Sequence, residues 1–85
     1  MQMRFVYFAR VREAVGIDCE ERDVPATVHT IQDCLDWLRQ CDARYALAFS
    51  DPVRLRYALD QQMVSANAPV AGYSELAIFP PVTGG

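Results

Sequence analysis

The chain has 85 residues, of which 52% are hydrophobic and 22% are charged, and its formal net charge is −3 at pH 7. This length gives one small domain with a single core, and the composition is typical of a globular protein. Because no apolar run is long enough to span a bilayer and the start lacks a secretory pattern, we expect a soluble, cytoplasmic protein without a membrane partner.

The charged and metal-binding residue types exclude several classes of function. All eight basic residues are arginine, and they are scattered along the chain, whereas nucleic-acid binding needs a concentrated basic stripe. We therefore expect no nucleic-acid partner. The cysteines at 19, 34 and 41 include no Cys-x-x-Cys pair, and His29 is the single histidine. Since neither a disulfide framework nor a zinc site follows from this spacing, we expect no intrinsically bound metal or cofactor.

The first predicted element is a strand over residues 3–8, which are rich in β-branched and aromatic side chains and contain no Gly or Pro. One face of this strand carries three apolar side chains. The other face carries Arg4, Val6 and Phe8, one charged and two apolar groups. That second face is either covered by the fold or offered to a partner.

A short helical turn and a second strand are predicted to follow. Residues 10–15 read as the helical turn, and Gly16 suits the position after a helix that requires a positive φ. Residues 18–24 return as a polar strand that ends at Pro25. The chain is therefore expected to form two adjacent strands before its main helix.

The one long helix is predicted to begin near Thr27 or Thr30, and Thr30 with Asp33 resembles a capping box. Apolar residues then recur at helical spacing on one face, which is expected to pack on the sheet. This stripe consists of Val28, Ile31, Cys34, Leu35, Leu38 and Cys41. We interpret Cys34 and Cys41 as small buried hydrophobic residues rather than as a functional pair.

The next segment is predicted to contain a short helix and two strands. Residues 43–49 form the helical segment, and residues 50–52 carry a turn signal. Alternation over 55–59 predicts a strand, and residues 60–62 turn the chain into a short strand at 63–64.

The last strand is predicted over residues 75–79, after an irregular loop at 69–74 that bends at Gly72. It ends abruptly because Pro80 and Pro81 cannot donate a hydrogen bond to a neighbouring strand and favour an extended chain. The end of the chain is therefore expected to leave the folded body as a stiff, extended segment.

We divide the chain into a folded domain over 1–79 and an extended tail over 80–85. A tail of this length spans roughly 20 Å at 3.3–3.6 Å per residue. It ends with Gly84 and Gly85, which have no Cβ and can enter a channel too narrow for other residues. Because the chain contains no lysine, it offers no ε-amino group to attack an activated C-terminus of its own.

The order of the predicted elements indicates an α+β fold with a mixed sheet packed on one main helix, the β-grasp or ubiquitin-like layout. The residue sets used for dinucleotide binding, phosphoryl transfer or nucleophilic hydrolysis are missing from the sequence. A stand-alone enzyme is therefore not expected.

The end of the chain resembles the terminal signature of the small, sulfur-carrying subunits of molybdopterin synthase. That end reads Phe79-Pro80-Pro81-Val82-Thr83-Gly84-Gly85. Residues 8–13 followed by Gly16 are similar to the family's first strand and turn, and residues 63–65 and 75–77 are similar to the segment before its tail. The resemblance covers essentially the whole chain and is most specific at its two ends.

The resemblance implies chemistry at the terminal carboxylate. An adenylyltransferase similar to ubiquitin-activating enzymes would use ATP and Mg²⁺ to adenylate Gly85, with Gly84 as a slim neck. A sulfur donor, a cysteine desulfurase or a rhodanese-type protein, would then displace AMP to leave a C-terminal thiocarboxylate. A carboxylate is a poor electrophile until a good leaving group is attached, and an ionised thio-acid is a competent sulfur nucleophile.

The resemblance also implies a larger assembly. The loaded tail would enter the synthase's large subunit in a two-plus-two heterotetramer and pass sulfur to cyclic pyranopterin monophosphate (precursor Z), forming the dithiolene of molybdopterin. Two loaded carriers are needed per product, and the active site would lie on the large subunit. The expected partner-binding residues are Val6, Phe8, Phe79, Pro80, Pro81, Val82 and Thr83. Core packing is the alternative for Phe8 and Phe79, and Arg10 and Arg12 either pair with partner carboxylates or are simply solvated.

Three other functions remain open from the sequence. A ubiquitin-like protein modifier would transfer the activated Gly85 to lysines of other proteins. The sulfur carrier of thiamine synthesis also ends in Gly-Gly, but it is typically shorter and lacks the Pro-Pro-Val-Thr approach. A plain interaction module would carry the terminal glycines without using them.

Overall fold

A computed structural model describes residues 1–81 of the chain. The elements in chain order are β1 (Gln2–Tyr7), α1 (Ala9–Val15), β2 (Cys19–Asp23), α2 (Ile31–Cys41), α3 (Ala43–Ala48), a 3-10 helix (Pro52–Arg54), β3 (Arg56–Leu59), β4 (Gln62–Val64) and β5 (Glu75–Phe79). No helix among these residues is long and apolar enough to cross a membrane.

The strands form one mixed five-stranded sheet in the order β2-β1-β5-β3-β4. β1 and β5 are parallel at its centre, and the other neighbouring pairs are antiparallel. The predicted α+β, β-grasp fold with one main helix and short extra helices is confirmed. Because β5 lies in the middle, its final residue emerges beside the end of β1 and the start of β3.

One face of the sheet forms the core with the helices. Alternation along β1 buries Met3, Phe5 and Tyr7, while β5 contributes Leu76 and Ile78. The helix α2 adds its apolar stripe to the same cluster through Ile31, Cys34, Leu35 and Leu38. Burial of each large side chain stabilises the fold by about 1.5–3 kcal/mol relative to leaving it exposed.

The predicted helix boundaries are confirmed by their caps. The side chain of Thr30 accepts a hydrogen bond from the backbone N–H of Asp33, and the Asp33 carboxylate accepts one from the backbone N–H of Thr30, which completes the capping box. These bonds to backbone N–H groups, with that of His29 first among them, lower the pKa of Asp33. At the other predicted position, Gly16 ends α1 with a φ of 93°.

The position of Cys41 corrects the sequence prediction. Cys34 is fully buried, as expected, and burial raises the pKa of its thiol to about 12. Cys41 is exposed instead. It is the last residue of α2, where Asp42 turns the chain into α3 with an extended backbone. Helical spacing predicted the correct face of α2 but not the point at which packing on that face ends.

The β3 region is also shorter than predicted. The predicted strand over 55–59 begins at Arg56, because residues 52–54 form the 3-10 helix and Leu55 caps it. Ala58, on the same face of β3 as Arg56, is 7% exposed. The turn after β3 places Asp60 and Gln61 at φ values of 48° and 72°, the left-handed conformation that a tight hairpin needs.

Candidate partner-docking site at the root of the tail

The parallel pairing of β1 and β5 brings Phe8 and Phe79 together. Phe8 directly follows β1, Phe79 ends β5, and the Phe8 backbone N–H donates a 3.3 Å hydrogen bond to the carbonyl of Ile78. The two rings meet edge-on, with centroids 6.1 Å apart and planes at 89°. Such a pair contributes about 0.5–1.5 kcal/mol beyond its buried area, so each ring holds the other in place.

The aromatic pair remains accessible to a partner. Phe8 is 46% exposed, which excludes core packing for this residue within the described structure, and Phe79 is half-buried. Val6, the third predicted docking residue on the strands, is also half-buried. All three lie on the face of the sheet opposite the core, because strand side chains alternate between faces.

A row of uncharged side chains crosses this open face of the sheet. Cross-strand register aligns one residue from each strand, in the order Cys19, Val6, Ala77, Ala58 and Met63. We call these five residues the apolar row. The Met63 side chain, at the edge of the sheet, is 63% exposed although it is large and hydrophobic. Ala58 and Ala77, in the middle of the row, are only 7% and 9% exposed, so the row offers a partner apolar side chains chiefly at Met63 and Val6, beside the aromatic pair.

The two ends of the open face differ in charge. At the end away from the tail, Arg4 is aligned with Glu21 and Glu75, and its Nε lies 3.8 Å from a Glu75 carboxylate oxygen. At the tail end, Arg56 is aligned with Phe79, and its guanidinium donates to the backbone carbonyl of Leu55 at 2.9 Å. The apolar row thus lies between an ion-paired end and a cationic end.

Residues 79–81 form the root of the tail, which we call the tail root. Pro80 and Pro81 are half-buried, and they line an open cleft of about 320 Å³ together with Ala9, Arg10 and Arg54. The other predicted site residues, Val82, Thr83, Gly84 and Gly85, lie outside the residues that the structure describes. Within residues 1–81, no group of three or more His, Cys, Asp or Glu side chains is placed to hold a metal ion.

Sequence comparison decides the family, because the profile described as the ThiS family matches residues 5–85. The chain belongs to the ThiS family. Two curated proteins similar to this ThiS-family chain are both named molybdopterin synthase sulfur carrier subunit. The one from Escherichia coli K12 is 39% identical over 98% of the chain and 99% of the relative. The one from Haemophilus influenzae is 32% identical over the same shares.

Solved structures agree with this assignment. SAMP1 from Haloferax volcanii superimposes with a TM-score of 0.72 and 26% sequence identity, and the match covers 100% of both chains. The resemblance found in the tail signature and the first strand is therefore confirmed at the level of the ThiS family and its β-grasp fold. In the ThiS-family chain, the structure brings four of the predicted site residues together around the tail root: Phe8, Phe79, Pro80 and Pro81.

Sequence reasoning missed four members of the apolar row, Cys19 among them, and the arginines of the tail root. Ala58, Ala77 and Met63 join Val6 only through the register of strands that are distant in sequence. The one local signal was Met63, a large apolar residue in a short strand that begins directly after a turn.

Proposed function

We propose that the chain is the sulfur carrier subunit of a molybdopterin synthase and that the carboxylate of Gly85 is its reacting group. The observation that carries the proposal is the full-length similarity to two proteins of that name, with the chain's own Pro-Pro-Val-Thr-Gly-Gly end following β5. The accessible aromatic pair at the tail root supports it, since a protein that acts on the terminus must bind next to that root.

The proposed chemistry has three steps. A carboxylate oxygen of Gly85 attacks the α-phosphorus of ATP in a partner adenylyltransferase, Mg²⁺ assists, and pyrophosphate leaves. The outer sulfur of a persulfide on a cysteine desulfurase or rhodanese-type donor then attacks the activated carbonyl carbon, and AMP leaves. A thiol of the donor attacks the resulting acyl disulfide, which releases the thiocarboxylate and leaves a disulfide on the donor. The result is a thiocarboxylate at Gly85, while Gly84 keeps the neck free of side chains.

The proposed acceptor side lies on a large subunit. The tail, with Pro80, Pro81, Val82 and Thr83 as its stiff approach, enters that subunit and passes sulfur to cyclic pyranopterin monophosphate. Two loaded carriers supply the two sulfurs of the dithiolene, in keeping with a two-plus-two heterotetramer. The carrier itself contributes no general acid or base.

The open face of the sheet is the proposed docking surface for both partners. The apolar row and the aromatic pair are adjacent. They expose large apolar side chains at Met63 and Phe8, with the nearly buried Ala58 and Ala77 between them. Interfaces gain most of their free energy from a few such anchors at their centre. The carrier must present the same tail to an activating enzyme and to the large subunit in turn, so one surface serves two proteins.

The intact mass of the chain tests this function. It is measured before and after incubation with ATP, Mg²⁺, the activating enzyme and a sulfur donor. A gain equal to replacing one oxygen by sulfur, localised to Gly85, supports the carrier. Stable conjugates on lysines of other proteins, seen as heavier bands on denaturing gels, would instead indicate a ubiquitin-like modifier. An unchanged mass with a competent activating enzyme would indicate a binding module.

A further inference from the structure

Three arginines converge on the tail root from three different elements. Arg10 lies in the first turn of α1, Arg54 ends the 3-10 helix, and Arg56 begins β3. Arg10 and Arg54 line the same cleft as the two prolines of the tail root, and Arg56 is aligned with Phe79. This concentration of positive charge occurs in a chain whose formal net charge is −3.

Within residues 1–81, two of these three arginines lack the carboxylate partner that most of the other arginines have. Each remaining arginine except Arg12 lies within 4.0 Å of a carboxylate, as the pairs Arg4–Glu75, Arg22–Glu20, Arg39–Asp36 and Arg44–Asp42 show. Arg54 reaches Asp51 only at 4.0 Å, with both side chains more than half exposed. Among residues 1–81, Arg10 and Arg56 have no carboxylate within that distance, and Arg56 bonds backbone carbonyls instead.

The position of Arg10 in α1 gives no local stabilisation that would favour a positive charge there. The first turn of a helix favours acidic side chains, because the helix dipole places partial positive charge there, and α1 has none in its first turn. Arg12 lies in the last turn of α1, where a cation is favourable, and it lines a different depression with Gly16 and Ile17. The structure therefore separates two arginines that the sequence left equivalent.

The carboxylates of the open face lie at the opposite end of the sheet. Strand register places Glu21 and Glu75 beside Arg4, near the start of β1, and Asp60 accepts hydrogen bonds from the backbone of residues 74 and 75. The tail emerges at the other end, beside the three arginines. On the open face, the tail end is therefore more positive than the opposite end, although Asp51 lies beside Arg54, and an acidic surface attracts the tail end.

We infer that Arg10, Arg54 and Arg56 form a cationic collar that pairs with carboxylates around the channel mouth of the ATP-dependent activating enzyme that receives the tail. This inference rests on the proposed function. A six-residue chain reaches at most about 20 Å, so the collar meets the rim of the channel and not the nucleotide. A carrier must bind and leave this enzyme repeatedly, and charge complementarity raises the association rate more than the lifetime of the complex.

The test compares two double variants with the same change in net charge. R10Q/R54Q removes two positive charges from the collar, and Q40E/N67D adds two negative charges at exposed positions outside the tail-root cleft. R10K/R54K keeps the charge. Association with the activating enzyme is followed by stopped flow from about 50 mM to 0.5 M salt, where the Debye length falls from more than 10 Å to a few Å.

We expect the wild type, the control and the lysine variant to associate fast at low salt and to slow steeply as salt rises. R10Q/R54Q should associate about tenfold more slowly at low salt, with a flatter salt dependence, and all four rates should converge at high salt. If R10Q/R54Q matches the control across the salt range while the wild type is loaded with sulfur, the collar is wrong and the proposed function stands. If the wild type is never adenylated by this enzyme, both are overturned.

Discussion

Phe8 and Phe79 are 71 positions apart in the sequence, yet their rings meet edge-on at 6.1 Å. The contact exists because β1 and β5 run parallel at the centre of the sheet. It joins the end of the first strand to the root of the tail, so that each aromatic side chain orients the other on a surface open to a partner.

Replacing Phe79 or Phe8 with Ala should weaken binding to the large subunit by more than about 1 kcal/mol each, because each removes an exposed aromatic anchor. Isothermal titration calorimetry measures the affinities. Since the rings contact each other, a double-mutant cycle should give a coupling of about 0.5–1.5 kcal/mol. Leu47→Ala on α3, also an exposed large hydrophobic residue, is the control and should bind normally. Unchanged affinity in both Phe variants would return the pair to a purely structural role.

Met63→Asp should lower the affinity for the large subunit by more than about 1 kcal/mol, since it places a charge where the most exposed apolar side chain of the row would contact the partner. The neighbouring change Gln62→Asp provides the control, because successive strand residues point to opposite faces. Both positions are exposed, so both variants should unfold within about 0.5 kcal/mol of the wild type. Equal affinities for the two variants would show that the apolar row is not the docking surface.

Gly84→Phe, or one extra residue after Gly85, should abolish sulfur transfer, because neither altered tail fits a channel shaped for an end without side chains. Thermal unfolding should be unchanged, since both alterations lie beyond the last strand. Mass spectrometry of the carrier and an assay of dithiolene formation provide the readouts. Normal product formation by either variant would contradict the proposed role of the tail.

The side chains of Tyr7 and Tyr45 both donate to the same carboxylate oxygen of Glu20. Burial first, and then Glu20, raise the pKa of both phenols above the ordinary value near 10. Above that pH the unfolded chain loses protons that the folded chain keeps, so stability should fall by up to about 1.4 kcal/mol per pH unit for each tyrosine. Below pH 9 the free energy of unfolding should not depend on the ionisation of these two tyrosines.

Chemical denaturation between pH 8 and pH 11 measures this slope. Tyr7→Phe removes one of the two groups and should make the slope shallower. Glu20→Ala should destabilise the chain by about 1–3 kcal/mol at neutral pH, because it leaves two phenol groups without their acceptor. A slope identical in the wild type and Tyr7→Phe would show that Tyr7 already ionises normally in the folded chain.

Local patterns predicted much of the fold because they depend on neighbours in sequence. The capping box at Thr30, the left-handed turn at Gly16 and the proline stop after Phe79 each follow from a few adjacent residues, and each is confirmed. The prediction that Cys41 is buried was wrong, because helical spacing indicates which face of a helix packs on the core but not how far along the helix that packing extends.

The site was predicted only in part, since its assembly depends on register. Val6, Phe8 and Phe79 came from the resemblance and from their place beside the tail. The apolar row also needs the pairing of β5 with β1 and β3, which no local pattern encodes. The arginines were described as scattered, which is true of the sequence. Arg10 and Arg54 nevertheless line one cleft and Arg56 is aligned with Phe79, because α1 and β3 begin, and the 3-10 helix ends, at the same side of the sheet.

The central place of β5 has a consequence for how the chain is made. Since β5 is the last of the five described strands and lies in the middle, the sheet cannot close until all the other strands have been synthesised, and this long-range pairing slows folding. A truncated polypeptide would lack the middle of its own sheet as well as the tail. If the proposed function holds, a chain that lacks β5 would present neither the aromatic pair nor the proposed docking surface.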